Sequence, residues 1–198
     1  LGLKHENGDP LTLDADGEGT LKVYVKRVVM ESAQRASDQG VDLSDKPWLI
    51  VENGKVQGMD FTAYVKDITR MKTAPAFDAL DLESPENDLF GNETTNCRHF
   101  TEYSTAHTKA QGACAEAEVV KMMNPMEYIM DEKAEKAQHF RIRHGECDRD
   151  TSLVISAMLT AKLREAVCEV DYHSPWNTPH AGDYDLDELF AWIDGICG

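Results

Sequence analysis

The chain has 198 residues, of which 41% are hydrophobic and 28% charged, a balance typical of folded globular proteins rather than disordered ones. Its formal net charge of -16 would repel phosphates and therefore disfavours nucleic acids and anionic membranes as partners. No apolar run approaches the roughly 20 residues that cross a bilayer, so we expect neither a membrane nor a nucleic acid among its partners.

The N-terminal sequence Leu1-Gly2-Leu3-Lys4 lacks an initiator methionine and an apolar signal core. We expect the chain to begin inside a longer translation product, with a tag scar or a trimmed terminus as alternatives. The cysteines are odd in number and widely spaced, and they form no C-x-x-C pair, which predicts no disulfide framework and a reducing, cytoplasmic location, with secretion as the alternative. They are Cys97, Cys114, Cys147, Cys168 and Cys197.

Residues 1–19 are polar and rich in turn-forming residues. Within them, Asp14, Asp16 and Glu18 imitate the first half of a calcium-binding loop. Such a loop needs a carboxylate at its twelfth position, where this chain has Val25. We therefore expect a solvated loop that leads into a helix.

The next segments predict a helix, a hairpin and a second helix. Apolar residues at helical spacing indicate a helix over about 20–37 that ends before Gly40. Residues 48–57 form a predicted hairpin, because Asn53-Gly54 suits a tight type I′ turn. A second apolar face predicts a helix over about 60–71. The apolar positions of the two helices are Leu21, Val25, Val28, Val29 and Ala36, then Phe61, Tyr64, Val65, Ile68 and Met71.

Residues 72–113 predict an irregular region, since they contain Pro75, Pro85, Gly91 and many Asp, Asn and Thr residues. Interleaved apolar residues argue for packed loops rather than disorder. The pattern changes near Pro125, after which helices and strands alternate. We predict a helix at 126–136, a strand at 140–143, a helix at 151–166 capped by Asp150 or Thr151, a strand at 167–172 and a helix at 185–197. This alternation predicts the end of a parallel α/β sheet.

Asp148 and Asp150 follow the first predicted strand, and His180 follows the second. In an open parallel sheet, ligands bind beyond the carboxyl ends of the strands, so two such loops can bring an acid and a histidine together. A carboxylate on Nδ1–H fixes the imidazole tautomer that a serine nucleophile needs. A helix cap for the aspartates and a solvated side chain for the histidine are the simpler interpretations.

Three segments carry a resemblance to a known family. Arg143–Ser152 resembles the acid-bearing segment of bacterial tannases, Pro175–Leu186 resembles their histidine segment, and Arg70–Asp78 with Ser84–Asn87 resembles part of their lid. The resemblance implies an α/β fold, namely the C-terminal part of an α/β-hydrolase sheet with an inserted, mainly helical lid domain. It assigns residues 1–125 to the lid and 126–198 to the core.

The resemblance also implies hydrolysis of galloyl esters without a cofactor. Asp148 would orient His180, which would act as general base and then as general acid. Lys72, Glu86 and Asp150 match the residues that hold the galloyl ring. The assignment is chemically sound, because carboxylates accept from phenol hydroxyls and an ammonium donates to their oxygens. Without the resemblance, a helix-terminal charge, a loop carboxylate and an N-cap would explain these three residues.

No G-x-S-x-G nucleophile elbow occurs in the sequence. The tannase family places the nucleophilic serine and the oxyanion hole before the lid. The resemblance therefore implies a partner for this chain, an N-terminal portion of the same enzyme that carries the serine, as well as a galloyl ester substrate.

Four alternatives remain open. His144, Cys147, Asp150, His173 and His180 could form a zinc site, although no known ligand spacing is reproduced. Cys147 could act as a nucleophile with His180, although a buried structural cysteine fits better. The chain could also be a non-catalytic phenolic-binding fragment. Among esterases, a feruloyl-type or general carboxylesterase is the alternative to a tannase.

Overall fold

The computed structural model describes residues 2–72, 74–182 and 184–198. Leu1, Thr73 and Asp183, which stand in segments discussed above, lie outside the described residues. The elements in chain order are α1 (Thr20–Asp38), β1 (Leu49–Glu52), β2 (Lys55–Met59), α2 (Phe61–Ile68), α3 (Pro85–Asp88), α4 (Glu102–Ala106), α5 (Ala117–Met123), a single 3-10 turn (Pro125–Glu127), β3 (His139–Arg143), α6 (Leu153–Glu165), β4 (Glu169–His173) and α7 (Leu186–Cys197). Across the described ranges, none of these helices combines the length and the apolar character that a membrane crossing needs.

Helix α1 forms the centre of the main core, and its predicted bounds are confirmed to within one residue. Its apolar face is buried, with Val29 entirely inaccessible to solvent. The helix begins after Gly19, whose φ of 140° is a conformation that side chains disfavour. A Cβ at Gly19 would also lie 2.3 Å from the carbonyl oxygen of Thr12, so the entry into α1 needs a glycine.

Strands β1 and β2 form the predicted antiparallel hairpin. Asn53 and Gly54 at its tip have φ values of 52° and 73°, which a type I′ turn requires. Helix α2 follows directly, with the Asp60 side chain accepting a hydrogen bond from the backbone N–H of Ala63 at 3.0 Å. It ends at Ile68, three residues earlier than predicted, because Thr69 adopts a left-handed conformation with φ of 47°.

The segment 72–113 is irregular, as predicted, and contains only the short helices α3 and α4 among its described residues. Its loops are packed around a buried carboxylate, that of Asp78, which is 2% exposed. Asn87, His99 and Thr101 donate hydrogen bonds to this carboxylate. One aspartate thus organises residues that come from three separate parts of the segment.

The prediction of a helix at 126–136 is wrong. Helix α5 ends at Met123, and only a single 3-10 turn follows, with the Asn124 side chain accepting from the backbone N–H of Met126. The Asp131 carboxylate accepts from the N–H of Lys133 at 2.9 Å, and such a local bond competes with helix formation. Ile129 is instead buried in a small cluster with Leu163 and Cys168.

Strands β3 and β4 pair in parallel, with His139 opposite Glu169 and Arg143 opposite His173. Helix α6 connects them and packs against β4. Because the two strands are parallel, the loops that follow Arg143 and His173 leave the same edge of the pair. The order strand, helix, strand, helix after residue 138 is therefore as predicted.

The main apolar cluster combines α1, the hairpin and α2 with Leu153, Ala157 and Ala161 of α6. The loop after β3 lies next to this core, since Cys147 packs against the cluster and the Tyr64 hydroxyl of α2 donates to Glu146 O at 2.9 Å. The expected division into a lid and a core near residue 125 stays a prediction.

Candidate active site

The loop that follows β3 holds the Asp148 carboxylate in a fixed orientation. Asp148 is 8% exposed, and its Oδ1 atom accepts hydrogen bonds from the backbone N–H groups of Asp150 at 2.8 Å and of Thr151 at 2.9 Å. The expectation that Asp150 or Thr151 caps α6 is wrong. The residue at the N-cap is Ser152, which makes no side-chain cap bond, since the Asp148 carboxylate already accepts from the amides that precede the helix.

The loop that follows β4 runs alongside the acid-bearing loop. The backbone N–H of Glu146 donates to Pro175 O at 2.9 Å, and that of Cys147 donates to Thr178 O at 3.1 Å. Gly145 makes this close approach possible, because a Cβ there would lie 2.2 Å from the carbonyl oxygen of Thr178. These backbone contacts fix the position of the histidine-bearing loop relative to Asp148.

Asp148 and His180 form a hydrogen bond, with 2.9 Å between Oδ2 of the carboxylate and Nδ1 of the imidazole. Since Asp148 already accepts two backbone N–H groups as a carboxylate, Nδ1 carries the hydrogen and Nε2 is left as the basic nitrogen. The His180 side chain is 62% exposed. The sequence-predicted acid and histidine are therefore brought together.

The electrostatics of the pair favour an ionised acid. Burial pushes the pKa of Asp148 up, but hydrogen bonds from Thr151, His180 and Asp150 outweigh it and hold the pKa below its ordinary value. The hydrogen bond and the charge of Asp148 raise the pKa of His180 above its ordinary value. The pair thus stabilises an imidazolium, which is the species formed when His180 takes up a proton.

A second histidine, His144, also contacts the acid. Its Nε2 atom lies 3.2 Å from the carbonyl oxygen of Thr151 and 3.4 Å from Oδ2 of Asp148. The side chain is buried, and burial lowers the pKa of His144, which favours the neutral imidazole. The sequence offered His144 only as a zinc ligand, because its approach to Asp148 depends on the turn between them.

Lys72 lies between two carboxylates. Its Nζ atom is 3.8 Å from Oε1 of Glu86 and 3.5 Å from Oδ1 of Asp150. The Phe77 ring lies beneath the ammonium, with 4.7 Å between Nζ and the ring centroid. The three residues that the resemblance assigned to the galloyl ring therefore lie together, although they are separated by 14 and 64 positions in the chain.

Three hydrogen bonds to backbone oxygens hold the segment before Lys72 near the acid-bearing loop. The backbone N–H of Met71 donates to Arg149 O at 2.9 Å, and Nη2 of Arg70 donates to Asp150 O at 2.8 Å. In return, Nε of Arg149 donates to Thr69 O at 3.0 Å. Lys72, Glu86 and Asp150, together called the Lys72 group, are consequently part of the same site as the Asp148–His180 pair.

Glu146 is a buried acid that the sequence reasoning missed. It is 2% exposed, and burial raises its pKa to about 7. Oε2 accepts from the backbone N–H of Asn177 at 3.4 Å, whereas Oε1 is buried without a hydrogen-bond partner among the described residues. No local signal marks this residue, because its contacts are distant in sequence: the Tyr64 hydroxyl donates to its backbone oxygen, and the Asn177 N–H donates to its carboxylate.

The alternative chemistries have little support in the geometry. Within the described ranges, no three His, Cys, Asp or Glu residues are arranged to hold a metal ion. Burial raises the pKa of the Cys147 thiol, which disfavours the thiolate that a nucleophile needs. In the loop at residues 14–18, Oδ1 of Asp14 accepts from the backbone N–H groups of Asp16 and Glu18, which closes a turn.

Neither a protein-family model nor a curated protein sequence matches the chain significantly. Solved structures do match it over its whole length. The native structure of a tannin acyl hydrolase from Lactobacillus plantarum has a TM-score of 0.95 at 42% identity, and the chain covers 43% of that protein. A tannin acyl hydrolase in complex with ethyl gallate gives 0.93 at 42% identity, with 43% of it covered.

A tannase from Fusobacterium nucleatum gives a TM-score of 0.88 at 39% identity, again with 43% of its chain covered. These likenesses support an α/β-hydrolase-type fold. The chain spans less than half the length of the solved structures that it matches. By sequence and by fold, this chain is similar to the bacterial tannases over its whole length.

Proposed function

We propose that this chain provides the acid, the histidine and the galloyl-binding residues of a serine esterase that hydrolyses galloyl esters. The observation that carries the proposal is the 2.9 Å hydrogen bond between Asp148 and His180, which lies beside the Lys72 group. The likeness to tannin acyl hydrolases, including those in complex with ethyl gallate and with 3,4-dihydroxybenzoate, supports it.

In this proposal, the nucleophilic serine belongs to an N-terminal portion of the same enzyme, outside this sequence. Its hydroxyl oxygen attacks the ester carbon while Nε2 of His180 takes its proton. The alcohol leaves with that proton and a galloyl-serine ester remains. Water then attacks this ester, and His180 removes the proton from water and returns it to the serine. Asp148 keeps the imidazole in the required tautomer throughout.

Galloyl recognition would use the three charged residues around Lys72. A galloyl ring presents three adjacent phenol hydroxyls. The carboxylates of Glu86 and Asp150 can accept hydrogen bonds from them, and the Lys72 ammonium can donate to the hydroxyl oxygens. Because these groups would be left unpaired by a ring without hydroxyls, the site would discriminate against such esters.

The same proposal gives the chain its place in the parent fold. Strands β3 and β4 would be the last strands of an α/β-hydrolase sheet, and residues 126–198 would belong to that core. Residues 1–125 would be the C-terminal part of the inserted lid. The hydrogen bonds from Arg70 and Met71 to the acid-bearing loop support such a lid, since they would bring its ring-binding side chains over the core site.

The test is an ester hydrolysis assay of the full-length protein that carries this sequence. The substrates are methyl gallate, methyl ferulate and p-nitrophenyl butyrate. We expect the highest kcat/KM for methyl gallate and covalent labelling, by a fluorophosphonate, of a serine outside this sequence. Preference for the ferulate indicates a feruloyl esterase, and comparable rates on all three esters indicate a general carboxylesterase. Gallate binding without turnover indicates a phenolic-binding module.

A further inference from the structure

The buried carboxylate of Asp78 accepts hydrogen bonds from five groups. Oδ1 accepts from Nδ1 of His99 at 2.7 Å and from Nδ2 of Asn87 at 2.8 Å. Oδ2 accepts from the backbone N–H groups of Phe100 at 3.0 Å and Thr101 at 2.8 Å, and from Oγ1 of Thr101 at 2.7 Å. Burial would raise the pKa of Asp78, but these bonds outweigh it and hold the pKa below its ordinary value.

Asn87 connects this carboxylate to the helix that carries Glu86. The Asn87 side chain is entirely buried, and its Nδ2 atom donates a second hydrogen bond to Arg98 O at 3.0 Å. Its backbone oxygen accepts from the N–H of Arg98 at 3.1 Å. Since α3 has only four residues, a helix too short to be stable by itself, these contacts fix its position.

Phe77, which precedes Asp78, holds the other side of the same helix. Its carbonyl oxygen lies 2.6 Å from Oγ of Ser84, and this hydroxyl also contacts the Glu86 carboxylate. The Phe77 ring lies beneath Nζ of Lys72. The dipeptide Phe77-Asp78 therefore contacts Ser84, Asn87 and Lys72, which are the neighbours of Glu86 in sequence and in space.

We infer that Asp78 and Asn87 are positioning residues that hold Glu86 at the distance from Lys72 which galloyl binding requires. The inference rests on the proposed function for its effect on substrate choice. Among the described residues, no hydrogen bond joins Asp78 or Asn87 to Asp148 or His180. Loss of the positioning contact should therefore weaken recognition of the ring and leave the acid–histidine pair intact.

The arrangement of Asp78, His99 and Thr108 resembles a catalytic triad but cannot act as one. Nε2 of His99 lies 2.8 Å from Oγ1 of Thr108, but this hydroxyl also lies 3.0 Å from the carbonyl oxygen of Ala110, which competes for its hydrogen. His99 is also entirely buried, so a substrate cannot approach its ring nitrogens. The role that fits this triad is to hold the loops in place.

The test uses the full-length protein with Asn87→Ala, and with Ser104→Ala as the matched control. Ser104 is equally buried and donates to the backbone oxygen of Asp78, away from α3. We expect Asn87→Ala to lower the ratio of kcat/KM for methyl gallate to that for p-nitrophenyl butyrate by roughly tenfold, through KM, as for a misplaced binding group. Ser104→Ala should leave the ratio unchanged.

A double-variant experiment separates positioning from general destabilisation. In a Glu86→Ala background, Asn87→Ala should cause no further loss of the ratio, because the group that it positions is absent. An equal loss on both esters, or the same loss in both backgrounds, would overturn the inference. If Asn87→Ala does not fold, Asn87→Ser replaces it, since it retains a donor on a shorter side chain. A loss specific to methyl gallate then supports the inference, and an equal loss on both esters overturns it.

A further measurement does not depend on activity and so distinguishes failure of this inference from failure of the proposed function. The hydrogen bond from Ser84 and the charge of Lys72 lower the pKa of Glu86. Titration of the labelled Glu86 carboxyl by NMR should show this pKa rising in Asn87→Ala and unchanged in Ser104→Ala. An unchanged Glu86 titration in Asn87→Ala overturns the positioning role, even if the protein hydrolyses no ester.

Discussion

Asp150 faces His180 across 4.0 Å, measured from Oδ2 of the carboxylate to Nε2 of the imidazole. The other oxygen of the same carboxylate lies 3.5 Å from Nζ of Lys72. One side chain thus stands between the nitrogen proposed to accept a proton and the ammonium proposed to contact a galloyl ring. A ring held by Lys72 and Asp150 would keep its ester group beside His180, which joins binding and catalysis in one site.

The first prediction concerns the acid of the proposed pair. Asp148→Asn in the full-length protein should lower kcat for methyl gallate by about 10⁴-fold, because an amide no longer fixes the imidazole tautomer. The exposed Asp45 provides the control, and Asp45→Asn should retain the full rate. Steady-state kinetics measure both, and a loss of less than tenfold in Asp148→Asn would contradict the assignment.

A second prediction follows from the raised pKa of His180. Only the neutral imidazole accepts a proton, so kcat/KM should fall as the pH decreases through this pKa. Since Asp148 raises the pKa, the acidic limb should lie above the ordinary histidine value of about 6.5. In Asp148→Asn the limb of the residual activity should move to lower pH. A limb at the same pH in both proteins would show that it reports another group.

Substrate choice should depend on Glu86. Glu86→Ala should cost methyl gallate about 1–3 kcal/mol more transition-state stabilisation than p-nitrophenyl butyrate, as for a lost hydrogen bond to a charged group. The nearby exposed Glu83 gives a matched variant, Glu83→Ala, which should not change the ratio. Comparison of kcat/KM on the two esters is the measurement, and an equal loss on both would remove the galloyl assignment from Glu86.

The packing of the two site loops should depend on Gly145. A Cβ in Gly145→Ala would meet carbonyl oxygens at 2.2 Å and 2.5 Å, those of Thr178 and Pro179, so the histidine-bearing loop must move. We expect a destabilisation of about 1–3 kcal/mol together with a loss of activity. For Gly182→Ala, where no described atom lies within 4 Å of an added Cβ, unfolding and kinetics should be unchanged. Similar behaviour of the two variants would contradict the interlocked loops.

Buried Glu146 should make stability depend on pH. The folded protein holds its proton up to about pH 7, whereas the unfolded chain releases it near 4.5, so stability should fall as the pH rises between these values. The expected fall is on the order of 1–3 kcal/mol. Glu146→Gln should lack this fall in stability with rising pH, and the exposed Glu52→Gln should retain it. Denaturant unfolding at pH 5 and pH 8 measures the difference, and identical pH dependence in all three proteins would contradict it.

The parts of the fold and of the site that follow from local signals could be predicted from the sequence. Asn53-Gly54 specifies its turn by its own backbone preferences, and the alternation after Pro125 places Asp148 and His180 after successive parallel strands. Their contact follows because both loops leave the same edge of the pair. The order of acid and histidine in the chain therefore allowed this hydrogen bond, and the resemblance to the tannases favoured it over a helix cap and a solvated side chain.

The remaining features depend on tertiary contacts that no local pattern records. Glu146 contacts a loop that lies 31 residues further along the chain, and the donors to Asp78 come from separate turns of an irregular segment. Residues near Ile129 have a helix-like pattern, yet Asp131 forms a local turn and Ile129 packs against Leu163. Tertiary packing and side-chain competition for the backbone decide the structure there.

The most direct measurement is a crystal structure of the full-length protein with gallate bound. We predict a serine hydroxyl oxygen, from a residue outside this sequence, within about 2.6–3.2 Å of Nε2 of His180. The gallate hydroxyls should contact Lys72, Glu86 and Asp150. A structure in which no serine approaches His180, or in which gallate binds away from these three residues, would contradict the central claim.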